Sequence, residues 1–75
     1  MARTQKRLIV CIDNKGYEVS LERRKIYVCL PDARAEKLGQ LRVVDESGED
    51  YLYPEKFFIA VALPQPARRA VLHAA

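Results

Sequence analysis

A β-hairpin followed directly by a proline constrains the fold of this chain most. Two runs with strand-like alternation, residues 40–44 and 50–53, flank a turn at residues 46–49, where Ser and Gly favour chain reversal. Pro54 has no backbone N–H to give to a neighbouring strand, so it ends the second run. Residues 55–58 then fit a single 3₁₀ turn. The sequence therefore predicts a hairpin, a proline stop and a short helical turn in succession.

Four further runs of apolar and β-branched residues predict strands elsewhere in the chain. In the clearest of them Tyr17, Val19 and Leu21 share one face and polar residues occupy the other, which is the period of a half-buried strand. The four runs are residues 8–12, 17–21, 26–30 and 59–63.

One short helix is predicted at residues 32–38, because Asp32 can cap its N-terminus and Gly39 tolerates the left-handed conformation that ends it. Five or six short strands with a single small helix indicate an all-β fold. A small antiparallel barrel is the economical arrangement, since closing a sheet removes the exposed edges that invite aggregation.

A chain of 75 residues has room for one domain. We place the barrel at residues 8–64, between a basic N-terminal arm at residues 1–7 and a flexible C-terminal tail at residues 65–75. The tail could also form a short helix on a partner or on its own barrel, although disorder is the default for such an end.

The net charge of +3 invites a nucleic-acid interpretation, but the charge lies at the ends of the chain. Residues 1–7 and 65–75 together carry +5, so residues 8–64 carry −2. A phosphate-binding domain normally shows a basic patch on its folded part. Nucleic acid is therefore a possible partner through the basic ends, but not the favoured one.

Cys11 and Cys29 are the only cysteines, and both lie in predicted strands, where a free cysteine usually acts as a small apolar core residue. A disulfide would require the two strands to pair in the right register. The N-terminal residues lack the apolar run of a secretory signal, and no apolar stretch approaches the length of a membrane helix. These features predict a cytoplasmic protein that does not enter a membrane.

From residue 20 onward, the order of these signals resembles an SH3 domain. Residues 21–30 look like the strand that leaves the RT loop, residues 40–53 look like the central hairpin, and residues 53–61 look like the 3₁₀ turn and closing strand. The resemblance implies an SH3-like barrel of five to six antiparallel strands with one short helical turn. The tryptophan that lines the proline-rich-peptide groove of such domains is missing, so polyproline binding is not favoured.

Residues 45–54, which read Asp-Glu-Ser-Gly-Glu-Asp-Tyr-Leu-Tyr-Pro, also resemble a segment in a group of short uncharacterised bacterial proteins. The string is specific for that group but implies no known chemistry.

The candidate binding residues surround the hairpin turn, where four carboxylates could attract a basic partner and aromatic rings could form a contact face. Tyr51 and Tyr53 are expected on one face of their strand, with Leu52 in the core on the other. The structural alternative is that the acidic residues build and solvate the turn while the rings pack. The candidates are Asp45, Glu46, Glu49, Asp50, Tyr51, Tyr53 and Phe57.

No catalytic apparatus, metal ligand set or cofactor site is predicted. The single histidine, His73, lies near the end of the tail without an orienting partner, and no nucleophile motif or phosphate loop occurs. The favoured hypothesis is a non-catalytic module that binds another protein. The alternative is association with nucleic acid or the ribosome through the basic ends.

Overall fold

The computed structural model describes residues 5–74 and consists mainly of one five-stranded antiparallel sheet. The strands lie side by side in the order β4-β3-β2-β1-β5. The predicted antiparallel pairing is confirmed, and the sheet is compatible with the predicted all-β fold. The elements are β1 (Arg7–Cys11), β2 (Ile26–Leu30), α1 (Ala33–Lys37), β3 (Gln40–Val44), β4 (Asp50–Pro54), a 3₁₀ turn (Glu55–Phe57), β5 (Phe58–Val61) and α2 (Gln65–Ala74).

The first face of the sheet carries the main hydrophobic core. In β3 and β4, Leu41 pairs with Tyr53, and directly opposed residues project from the same face. Leu21 joins this face from a loop and Phe57 joins it from the 3₁₀ turn. The core cluster comprises Ile9, Cys11, Leu21, Tyr27, Cys29, Leu41, Val43, Tyr53, Phe57 and Phe58.

The second face of the sheet is apolar as well. Leu8 is opposed by Val28 on one side and by Val61 on the other, and both Leu8 and Val28 are buried. Helix α1 packs on the neighbouring strand β3 with Ala35 buried. The sheet therefore buries side chains on both faces, which explains how a chain of this size keeps so many aliphatic residues away from solvent.

The strand predicted at residues 17–21 is wrong, since this segment forms turns. The backbone N–H groups of Ser20 and Leu21 both donate to the carbonyl of Tyr17, so they are committed within the segment and are not available to a neighbouring strand. Val19 is 97% exposed, whereas Leu21 is 1% exposed. The alternating apolar residues here belong to a loop that buries Leu21 in the core and leaves Val19 in solvent.

The short helical elements agree closely with the sequence. Helix α1 has Asp32 as its N-cap, with the carboxylate accepting a hydrogen bond from the N–H of Ala35 at 3.0 Å. Gly39 follows the helix with φ of +73°, a conformation that glycine adopts readily. The 3₁₀ turn at Glu55–Phe57 follows Pro54 as predicted.

The C-terminal segment Gln65–Ala74 forms helix α2, which is the alternative that the sequence left open beside a flexible tail. Pro66 lies in its first turn, where a missing N–H costs no helical hydrogen bond. The guanidinium of Arg68 donates to the carbonyl of Lys6 at 2.8 Å, and Val71 and Leu72 are half-buried. Of the predicted N-terminal arm, residues 1–4 lie outside the described residues, and Arg7 already belongs to β1.

The two cysteines are buried and lie too far apart to form a disulfide with one another. Cys29 pairs with Arg7 across the β1–β2 ladder, whereas Cys11 directly follows Val10, the partner of Ile26. The two positions are thus offset by four residues along the strands, which is roughly 13 Å at ~3.3 Å per residue. A disulfide needs Cα atoms closer than about 7 Å.

Candidate functional site

Asp45 is a structural residue of the hairpin rather than part of an exposed acidic surface. It is buried, and its carboxylate accepts hydrogen bonds from the N–H of Ser47 at 2.9 Å, from the Ser47 hydroxyl at 2.5 Å and from the Tyr53 hydroxyl at 2.5 Å. Burial alone would raise the pKa of Asp45, but these donors together outweigh burial and lower that pKa. Asp45 therefore stays ionised and fastens the turn to the core.

The other three predicted acidic residues have separate surroundings. Glu46 accepts from the Lys25 ammonium at 2.6 Å and from the Tyr27 hydroxyl at 2.5 Å, and these two donors lower its pKa. Asp50 pairs with Arg42 at 3.0 Å. Glu49 is exposed at the turn. The predicted acidic docking surface is thus largely occupied by structural hydrogen bonds and ion pairs.

The predicted aromatic face is divided between the core and the surface. Tyr53 is 3% exposed and Phe57 is 6% exposed, whereas Tyr51 is 51% exposed. Tyr17 covers the first two, with ring centroids 5.1 Å from Tyr53 and 5.8 Å from Phe57. Leu52, which was expected in the core, is 39% exposed. Tyr51 and Tyr53 do share one face of β4, but on that face Tyr53 is buried in the core and Tyr51 is not.

A groove lies on the second face of the sheet, with a volume of about 670 Å³. Its apolar lining comes from Ile26 and Val28 of β2, Val44 of β3 and Val71 of α2. We call this site the β2–β3 groove. The alternation of Ile26 and Val28 is visible in the sequence, but the contribution of Val71 is not, because it depends on how α2 lies against the sheet.

Charged residues surround one end of the β2–β3 groove. Arg24, Lys25 and Glu46 all line it, and Lys25 and Glu46 form the ion pair described above. Arg24 has φ of 72°, and its backbone N–H donates to the carbonyl of Cys11 at 2.7 Å. The site thus combines an apolar floor with a polar rim, an arrangement typical of protein-binding surfaces.

The basic segments at the two ends of the chain are brought together. The hydrogen bond from Arg68 to the Lys6 carbonyl joins the start of β1 to α2. Arg69 is exposed next to it, while the guanidinium of Arg7 lies 3.3 Å from Glu36. Arg3, which also belongs to the predicted basic arm, lies outside the described residues.

Comparison with protein-family models, with curated proteins and with solved structures finds no match to this chain. Across residues 5–74, no group of three or more His, Cys, Asp or Glu side chains is arranged to hold a metal ion. No helix in the same range has the length and apolar composition needed to cross a membrane. The β2–β3 groove and the charges around it are the features of the described residues that could bind a partner.

Proposed function

We propose that this protein is a non-catalytic interaction module that binds an apolar segment of another protein in the β2–β3 groove. The groove itself carries this proposal. Its volume of about 670 Å³ lies within the range of 300–1,000 Å³ common for binding pockets, and apolar side chains from two strands and a helix line it. Transfer of apolar surface from water into such a groove is favourable by about 25 cal/mol per Å².

The lowered pKa values of the carboxylates near the groove support a binding role over a catalytic one. General acid–base catalysis at neutral pH favours a carboxyl group whose pKa is raised towards 7. The pKa values of Asp45 and Glu46 are instead lowered, because each carboxylate accepts hydrogen bonds from neighbouring donors. Both groups act as fixed acceptors that hold the rim in place.

We also propose that the scaffold is an SH3-like barrel. The β3–β4 hairpin, the 3₁₀ turn at Glu55–Phe57 and the return of β5 to pair with β1 follow the order expected for that fold. The binding site differs from the aromatic groove of proline-rich-peptide receptors, since it lies between β2, β3 and α2. The protein is proposed to act in the cytoplasm, a setting compatible with two buried cysteines that are not joined to one another.

A photo-crosslinking amino acid in place of Val71 is expected to capture a partner protein in cells, whereas the same group in place of His73 is not. Val71 lines the groove, and His73 is exposed about 200° further around the helix. Mass spectrometry of the crosslinked product should locate the label on an apolar segment of the partner.

The two substitutions lie on the same helix, so His73 controls for nonspecific capture near α2. Identical products from both positions, or none from position 71, would contradict the groove as the binding site.

A second candidate function is association with RNA or another polyanion through the joined basic ends. The contact between Arg68 and Lys6 favours it, because it gathers charges that are 62 positions apart in the sequence. Phosphate contacts by Lys and Arg release counterions, so such binding weakens as salt increases.

Replacing Lys6 and Arg69 together by glutamine is expected to weaken binding of single-stranded RNA and to reduce its salt dependence. The slope of log K against log salt should fall by roughly 0.7 for each phosphate that the variant no longer neutralises, measured by fluorescence titration at several salt concentrations. The matched control replaces Lys15 and Lys56 by glutamine. Both lysines are exposed elsewhere on the surface, so this double variant loses the same amount of positive charge. Equal effects in both double variants would argue against a specific basic site.

A further inference from the structure

Arg24 occupies a backbone conformation that usually belongs to glycine. Its φ of 72° lies in the left-handed region, and the other described residues with positive φ are Gly16, Gly39 and Gly48. A β-carbon makes this conformation unfavourable, so glycine is the usual choice for such a position. An arginine held there places a long cationic side chain at the groove at the expense of backbone strain, and strain of this kind often accompanies binding sites.

Within the described residues, Arg24 is the one charged side chain of the rim that has neither an ion pair nor a hydrogen bond. Lys25 and Glu46 neutralise one another at 2.6 Å, and the carboxylate of Asp45 bonds to Ser47 and Tyr53. Among residues 5–74 no carboxylate forms an ion pair with Arg24. The groove therefore offers an apolar floor beside a guanidinium whose N–H donors have no side-chain acceptor among residues 5–74.

We infer that the β2–β3 groove selects a peptide segment of a partner protein in which an Asp or Glu flanks a large apolar side chain, with Arg24 as the specificity-determining residue. This inference rests on the proposed function. The apolar side chain would enter between Val28, Val44 and Val71, and the carboxylate would accept hydrogen bonds from Arg24. A guanidinium presents paired N–H donors that match the two oxygens of a carboxylate, which gives both orientation and selectivity.

A displayed library of random short peptides, selected on the immobilised full chain, tests this inference. The selected peptides are expected to carry an Asp or Glu beside Leu, Ile, Met or Phe. Replacing Arg24 by glycine should weaken their binding by about tenfold or more, the factor expected for loss of a hydrogen bond to a charged group. Glycine suits the positive φ, so the Arg24→Gly variant should unfold at a temperature no lower than that of the parent chain.

Arg23→Gly is the matched control, because Arg23 is the exposed neighbour of Arg24 and does not line the groove. It should change peptide affinity by less than about twofold. Val71→Asp, which places a carboxylate on the groove wall, should abolish binding, and His73→Asp should not.

Two adverse results are distinguishable. Peptides that need Val71 but lack acidic residues and bind the Arg24→Gly variant equally well would overturn the inference while leaving the proposed function intact. If no selected peptide is sensitive to Val71→Asp, the proposed function fails and the inference fails with it.

Discussion

Replacing Tyr53 by alanine is expected to lower the free energy of unfolding by about 3–5 kcal/mol. The ring is 3% exposed and packs edge-on against Tyr17 and Phe58, so its removal leaves a cavity in the core. The substitution also deprives the buried carboxylate of Asp45 of a hydroxyl donor at 2.5 Å. A chain of this length has about 4–11 kcal/mol of stability in total, so urea denaturation should show a large loss.

Two variants separate the parts of this effect. Tyr53→Phe keeps the ring and removes only the hydroxyl, so it should cost about 1–3 kcal/mol, the penalty for leaving a buried polar group short of a partner. Tyr51→Ala removes a half-exposed ring on the same face of the same strand and should cost less than about 1 kcal/mol. If Tyr51→Ala proves as destabilising as Tyr53→Ala, the assignment of Tyr53 to the core is wrong.

The hairpin around residues 45–54 was predictable because its signals are local. Ser47 and Gly48 form the turn, and Pro54 ends β4, so each feature depends on residues within a few positions of one another. The N-cap at Asp32 and the 3₁₀ turn after Pro54 follow for the same reason. Local backbone chemistry is therefore enough to predict where these elements lie.

The burial of Tyr53 was not predictable from its own strand. The alternation of side chains along β4 correctly places Tyr51 and Tyr53 on one face. It does not show how much of that face is covered by residues from other parts of the chain. Tyr17 and Phe57 supply that cover over Tyr53, and Tyr17 lies 36 positions earlier in the chain. The end of the face at Tyr51 stays half-exposed.

The groove escaped prediction for a related reason. Its floor residues Ile26, Val28 and Val44 follow ordinary strand alternation, which the sequence shows clearly. Its wall requires α2 to lie near the second face of the sheet, and one interaction that holds α2 there is the hydrogen bond from Arg68 to a backbone carbonyl. A backbone carbonyl carries no side-chain signal, so composition gives no hint of this partnership.

Replacing Leu21 by alanine is expected to lower the free energy of unfolding by about 2–5 kcal/mol, although Leu21 lies in a loop. Its side chain is 1% exposed within the main core. The loop is held in place by the Asn14 side-chain amide, which donates to the Leu21 carbonyl at 2.9 Å, and by the N–H of Glu22, which donates to the Tyr27 hydroxyl at 2.7 Å. These bonds prevent the loop from moving to refill the space that alanine leaves.

Val19→Ala is the informative comparison for Leu21→Ala, because it discriminates between a turn and a strand at residues 17–21. In a strand, Val19 and Leu21 would face the core together, and both substitutions would be costly. In the turn, Val19 is 97% exposed, so its replacement should change stability by less than about 0.5 kcal/mol. Comparable losses of stability from the two variants in urea denaturation would support the strand, whereas a large difference means that Leu21 enters the core from this loop and Val19 does not.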